Sequence, residues 1–249
     1  MVAKTNPMSA GSSILVAAGA LALGLSAVVS SASTVTIYNT GTDSSGTVLS
    51  NGSAVSNYAL VLAPSNQGTT LAVYNSSGSY PGNVWAAPND TSAWIAPASG
   101  GAYTNSPATY GLPGNYDFRT TFTSATAGLI TISGQWATDN TGSGISIDGV
   151  AAAMTSSELP GATGYNSFTS FNITGNVVAG NNTLDFLLAN GTTSKNTDEA
   201  NPVGLRVQIG TAYVVAALPM PGTGPLAALG GLAITGALVL RRRVGLQGI

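Results

Sequence analysis

The chain has 249 residues, of which only 6% are charged, and it contains neither cysteine nor histidine. These absences exclude disulfides, a Ser-His-Asp or Cys-His nucleophile, and a zinc site with cysteine or histidine ligands. Residues 33–217 hold three basic and nine acidic side chains, a net charge of −6. Nucleic acid binding requires clustered basic residues, so the sequence argues against a nucleic acid partner.

The N-terminus has the pattern of a secretory signal peptide. Lys4 is followed by an apolar, small-residue run over 14–29, which ends in Ser30-Ser31-Ala32. A positive start, an apolar run and small residues at the cut are what a signal peptidase recognises. We predict a signal helix over 1–32, with Ala32 as the last residue removed. The alternative is a retained signal anchor.

Residues 34–217 carry short β-rich runs separated by Gly, Asn, Ser and Pro, without convincing helical periodicity. Arrays of this kind fold as sandwiches or jelly rolls. We therefore predict one all-β sandwich or jelly-roll domain over 33–217. Its predicted strands cover 34–38, 58–63, 70–74, 116–122, 129–136, 144–148, 150–153, 168–173, 183–189, 203–209 and 212–216.

Asp148-Gly149 is a tight-turn pair and is predicted to join two of these strands. Before the turn, Ile145 and Ile147 alternate with Ser146. Because successive strand side chains point to opposite faces, this alternation predicts buried isoleucines and a solvated serine.

The stretch 75–115 is rich in Gly, Pro, Ser and Asn, yet it is also rich in aromatic residues. A disordered linker would not hold so many, so we expect long loops packed over one end or edge of the sandwich. Trp85 and Trp94, with nearby tyrosines, are candidates for an aromatic sugar-binding platform. The alternative is a satellite hydrophobic cluster beneath the loops.

A second candidate site is Trp136-Ala137-Thr138-Asp139-Asn140, which ends a predicted strand and opens a turn. Asp139 and Asn140 could orient a sugar hydroxyl or bind Ca²⁺, and Trp136 offers a stacking face. Ca²⁺ is the one cation considered; no other cofactor is expected. The alternative is that Asp139 and Asn140 cap the turn and Trp136 fills the core.

Arg119 and Arg206 each lie inside a predicted strand. A buried arginine requires a partner, so structural ion pairs are expected for both. The candidate partners are Asp117, Asp139, Asp148 and Asp185.

The C-terminus reads Leu218-Pro219-Met220-Pro221-Gly222, continues as an uncharged, largely apolar run to Leu240, and is followed by Arg241-Arg242-Arg243. Nineteen residues at ~1.5 Å each approach the roughly 30 Å hydrocarbon core of a bilayer. We predict a transmembrane helix over 222–240, with the arginine cluster as a cytoplasmic stop-transfer signal. The prolines hold an extended segment, which a protease can grip, at the membrane face.

This three-part tail, over 218–249, resembles the PEP-CTERM sorting signal of Gram-negative bacteria. Met220 stands where the family motif usually has glutamate. The resemblance implies that an exosortase, a membrane protease-transpeptidase, reads Pro219, Met220, Pro221 and Gly222. The precursor is then expected in the inner membrane, and the processed protein at the cell surface or outside the cell.

Parts of the central region are similar to the β domain common among PEP-CTERM proteins, itself similar to galactose-binding-like jelly rolls. The resemblance implies a fold and brings no assigned activity. It rests on Ser-Ala-Trp-Ile-Ala-Pro at 92–97, Tyr-Asp-Phe-Arg-Thr-Thr-Phe at 116–122, Gly-Gln-Trp-Ala-Thr-Asp-Asn at 134–140, Ile-Ser-Ile-Asp-Gly at 145–149 and Gly-Leu-Arg-Val at 204–207.

The expected function is that of a non-catalytic exported surface or matrix protein, with exopolysaccharide as its ligand. A purely structural surface component is the first alternative. A glycoside hydrolase using Asp139 and Asp148 is the second, and it is disfavoured because the chain has few charged groups to tune two carboxylates.

Overall fold

The computed structural model describes residues 32–65, 68–75, 84–97, 111–191 and 202–217. The predicted signal helix, the span over 222–240, the sorting residues Pro219, Met220, Pro221 and Gly222, and the cluster Arg241-Arg242-Arg243 lie outside these ranges. Within them, no helix has the length and apolar character needed to cross a bilayer.

The described residues form eleven strands and one short 3-10 helix at Ser156–Glu158. The strands are β1 Ala32–Thr34, β2 Tyr58–Leu62, β3 Leu71–Tyr74, β4 Trp94–Pro97, β5 Gly114–Ser124, β6 Gly128–Asp139, β7 Thr141–Ile147, β8 Val150–Ala151, β9 Thr169–Val177, β10 Gly180–Asn190 and β11 Gly204–Ala216.

The strands form two antiparallel sheets, and their order is that of a jelly roll. The first sheet runs β3-β4-β11-β6-β9, with β1 beside β11, and the second runs β2-β5-β10-β7-β8. Strands β4 to β11 pair as in one long folded hairpin, and successive strand pairs alternate between the two sheets. These pairs are β4–β11, β5–β10, β6–β9 and β7–β8. The all-β sandwich prediction is confirmed.

The core lies between the sheets and is built from alternate positions of each strand. In β6, Ile130 and Ile132 are fully buried while Leu129 and Thr131 face outwards. The same alternation in β11 buries Ala212 and Val214. The period-2 pattern of the sequence thus sets which face of each strand closes onto the core.

Most predicted strands are present, with shifted ends, and three of the strand and loop predictions are wrong. The stretches 203–209 and 212–216 are one strand, β11, with a bulge that leaves Gly210 unpaired against β6. Strand β4 was predicted as loop; its four residues are all buried and show no alternation. Of the run 34–38, only Thr34 is in a strand.

The turn at Asp148-Gly149 is confirmed. Both residues have positive φ, 49° and 74°, and they join Ile147 to its partner Val150. The buried isoleucines are also confirmed, but the prediction for Ser146 is wrong. Ser146 is only 8% exposed, and its burial is tolerated because its hydroxyl donates to Asp185 Oδ2 at 3.2 Å on the paired strand β10.

Candidate functional site

Trp85 and Trp94 lie in a satellite cluster on the outer face of the first sheet. Their ring centroids are 4.4 Å apart, and they pack with Tyr74 and Ala137. Both indoles are buried, at 4% and 0% exposed, and Trp94 Nε1 donates to the Ala86 carbonyl at 2.9 Å. They therefore present no ring face to solvent. This geometry fits a satellite hydrophobic cluster, the alternative given above, and not an open sugar-binding platform.

Trp136 belongs to the main core. Its ring is fully buried, lies 5.6 Å from the ring of Phe186, and donates from Nε1 to the Glu158 carbonyl at 2.8 Å. The ring has no open face on which a sugar could stack.

Asp139 and Asn140 lie at the end of β6, and Asp139 is buried at 4% exposed. Trp85 Nε1 donates to Asp139 Oδ2 at 2.7 Å, and Asn140 Nδ2 donates to Oδ1 at 2.6 Å. Burial raises the pKa of Asp139 to about 7, and the bond from Trp85 opposes this rise. Both carboxylate oxygens are engaged, and no group of three acidic side chains among the described residues could hold a metal ion.

The carboxylates of Asp139 and Asp148 do not converge. They lie at opposite ends of the seven-residue strand β7, which alone spans roughly 20 Å. A glycosidase needs its two carboxyl groups about 5–10 Å apart. Asp148 Oδ1 also accepts from the Thr183 backbone at 2.7 Å. This pair therefore cannot act as the acid and base of a glycosidase.

Arg119 forms an ion pair with Asp185, one of the four candidate partners predicted from the sequence. Arg119 Nε donates to Asp185 Oδ1 at 2.6 Å and Nη2 donates to Oδ2 at 3.1 Å, from β5 to β10. Asp117 lies on the same strand as Arg119, and burial, with the nearby charge of Asp185, raises its pKa to about 6. The ion pair thus occupies the outer face of the second sheet.

Arg206 is fully buried, and its predicted pairing with an aspartate is wrong. Its guanidinium instead donates to Ser92 Oγ at 2.8 Å and to the carbonyls of Ala86, Ala87 and Ser92. It also lies 4.8 Å from the centroid of the Phe168 ring. Burial lowers its pKa to about 10. The side chain fastens the segment 86–92 onto the first sheet.

Beside that segment, the outer face of the first sheet holds a depression of about 290 Å³. Gln135 Nε2 donates to Gln208 Oε1 at 2.5 Å, and Gln208 Nε2 donates to Thr91 Oγ1 at 3.0 Å and Ser92 Oγ at 2.9 Å. We name this depression the amide pocket. It is lined by Asn39, Thr91, Gly134, Gln135, Ser170, Gln208, Ile209 and Gly210.

A second depression of about 370 Å³ adjoins the amide pocket and shares Ile209 and Gly210 with it. We name it the tyrosine pocket, because it contains Tyr213, which is 38% exposed. Every other aromatic side chain in the described ranges is more buried. The remaining lining residues are Thr34, Val35, Thr36, Ile37, Thr211 and Ala212.

Sequence reasoning did not identify either depression. The available signal was alternation: in 211–215, Thr211 and Tyr213 alternate with the buried Ala212 and Val214, which places the former two on the outer face. Nothing in the sequence indicated that Gln135 would meet Gln208, because the two residues are 73 positions apart.

No protein-family model matches this chain, and no curated protein matches it. Solved structures similar to it include a family 35 carbohydrate-binding module from Clostridium thermocellum, at 13% identity and TM-score 0.30, covering 74% of this chain and 100% of that one. The CBM35 from Paenibacillus barcinonensis matches at 14% identity and TM-score 0.30, and the match covers 62% of this chain and 93% of that one. The Podospora anserina GH26-CBM35 β-(1,4)-mannanase matches at 17% identity and TM-score 0.29. This match covers 66% of the present chain but only 29% of the mannanase. At these values the matches carry no inference about ligand or mechanism.

Proposed function

We propose that this chain is exported to the surface of a Gram-negative bacterium, where its jelly roll binds neutral exopolysaccharide without catalysing a reaction. One observation carries the binding proposal: both arginines of the described residues are engaged internally, one with Asp185 and one with backbone carbonyls. The open surface of these residues therefore offers hydroxyls, amides and carboxylates, and its one exposed guanidinium, that of Arg119, is already paired with Asp185. Such groups suit uncharged polyols, which both donate and accept hydrogen bonds, and do not attract polyanions.

The export part of the proposal comprises a cleaved leader over 1–32 and a PEP-CTERM-like tail over 218–249 that an exosortase processes at the inner membrane. The pairing of Ala32 with Val215 supports it, because the leader junction and the start of the tail then lie side by side at one end of the first sheet.

N-terminal sequencing and fractionation test the export part. The mature chain is expected to begin near Ser33, and deletion of 222–249 should convert a membrane-associated precursor into a secreted protein. Replacing Pro219 and Pro221 with alanine should leave membrane insertion intact and block processing. A mature chain that still begins at Met1 rules out the cleaved leader, and normal processing of the double variant rules out the exosortase.

A purely structural surface component is the second candidate, and the burial of all three tryptophans favours it. A glycan array with the full chain separates the two functions. Retention of neutral polysaccharides above that of polyanions supports binding, whereas an array with no retained neutral glycan favours the structural role.

A further inference from the structure

We infer that the amide pocket and the tyrosine pocket form one groove on the outer face of the first sheet, and that this groove binds a neutral polysaccharide chain. The inference rests on the proposed function and names its site. The two depressions meet at Ile209 and Gly210, where the bulge in β11 interrupts the ladder with β6. From Gln208 to Tyr213 the groove extends roughly 16 Å along the strand, so it fits a chain better than a single sugar.

No charged side chain lines either part of the groove. The amide pocket supplies fixed hydrogen-bonding groups, because Gln208 is held by Ser92 and Thr91, and Asn39 Oδ1 accepts from the Ile209 backbone at 2.7 Å. Gln135 Oε1 accepts no hydrogen bond from the described residues, so an acceptor remains for a sugar hydroxyl. Immobilised polar groups lose little entropy on binding, which favours hydrogen bonding to a ligand.

The tyrosine pocket supplies the exposed aromatic side chain that the buried tryptophans do not. Tyr213 has a large apolar ring and a polar hydroxyl, and it lies beside the hydroxyls of Thr34, Thr36 and Thr211. An aromatic face next to hydroxyl groups complements a pyranose ring, which has an apolar face and a polar rim. Tyr213 would therefore stack on one sugar, while the amide pocket bonds another farther along the chain.

Gly210 allows the groove to be blocked without disturbing the fold. A Cβ built at Gly210 meets its nearest atom, the Ser133 carbonyl oxygen, at 3.4 Å, an ordinary contact, and its φ is not positive. A leucine there would fill the floor that the two pockets share. Gly161 gives a matched control, since a Cβ there meets nothing within 4 Å and its φ is also ordinary.

The test measures retention of the full chain on insoluble β-1,3-glucan and on galactomannan, with polygalacturonate as the polyanion, in a detergent without a sugar headgroup. Tyr213→Ala should weaken binding to the better neutral polysaccharide by about two- to tenfold, while Tyr213→Phe keeps it. Gly210→Leu should reduce binding at least about tenfold, and Gly161→Leu should leave it unchanged. Circular dichroism and the melting temperature confirm that each variant is folded.

The outcomes separate the site from the function. If the wild-type chain binds a neutral polysaccharide and both Tyr213→Ala and Gly210→Leu bind equally well, the groove is not the site, although the proposed function stands. If the wild-type chain retains neither neutral polysaccharide, or prefers polygalacturonate, the proposed function and the groove both fail.

Discussion

Asp139→Asn should change how the stability of the domain depends on pH. The Asp139 carboxyl is 4% exposed and accepts hydrogen bonds from Trp85 and Asn140, and no cationic side chain of the described ranges contributes to its pKa. Burial disfavours the charged form and raises the pKa of Asp139 from 3.8 to about 7. The substitution keeps the shape of the side chain and removes its titration.

The sign of the effect follows from the order of the two pKa values. Because the pKa is higher in the folded state, the unfolded state releases its proton first as pH rises. The wild-type chain therefore loses stability between pH ~4 and pH ~7, and the loss is complete above this window. At ~1.4 kcal/mol per pH unit, a rise from 3.8 to about 7 corresponds to roughly 4 kcal/mol. Asp117, whose pKa is raised to about 6, adds a smaller loss in the same direction.

Urea unfolding at pH 5 and pH 8, followed by tryptophan fluorescence, measures this difference. At pH 5, Asp139→Asn should be no more stable than wild type, because its new amide lies beside the Asn140 amide, which in the wild-type chain donates to Asp139 Oδ1. At pH 8 the variant should be more stable than wild type. Glu158→Gln is the control, because backbone hydrogen bonds from Thr155 and Asn172 lower the pKa of Glu158 and place its titration below this pH window. This variant should therefore lose as much stability as wild type from pH 5 to pH 8. If Asp139→Asn loses as much stability as wild type from pH 5 to pH 8, the reasoning is wrong.

Three further predictions concern stability and can be checked by thermal or urea unfolding. Trp136→Ala should cost about 3–5 kcal/mol, because it empties a fully buried site; a cost below ~1 kcal/mol contradicts a core role. Arg206→Met should cost about 2–4 kcal/mol, because it leaves buried carbonyls without donors, and an unchanged stability contradicts the anchoring role. Gly134→Ala should destabilise, since its Cβ would clash with the Gln208 carbonyl oxygen, whereas Gly210→Ala should be tolerated; equal effects contradict this geometry.

Alternation along the strands made most of the sandwich predictable. Strands β6, β9 and β10 each have one apolar and one polar face, so their positions follow from the side chains alone. Strand β4 lacks this signal because both of its faces are covered. Its Trp-Ile-Ala-Pro sequence, flanked by Gly, Ser and Asn, therefore suggests a loop.

The site was harder to predict because the sequence does not say which outer faces a loop will cover. By alternation, Ala137, Asp139 and Arg206 belong to the outer face of the first sheet. The loop that contains Trp85 closes over that face and buries all three. Residues that look like an open sugar site in the sequence are thus interior, whereas Gln208 and Tyr213, farther along β11, remain accessible.

The contacts that bury the predicted site also build the wall of the inferred one. Ser92 Oγ accepts from Arg206 Nε at 2.8 Å and from Gln208 Nε2 at 2.9 Å, so one hydroxyl joins the buried anchor to the amide pocket. An arginine without a carboxylate partner is tolerated here because carbonyl and hydroxyl oxygens satisfy its donors. The surface that the segment 86–92 covers therefore stops at Gln208, which is partly exposed. The boundary between the covered and the open half of this face is set by hydrogen bonds, not by a change in the sheet itself.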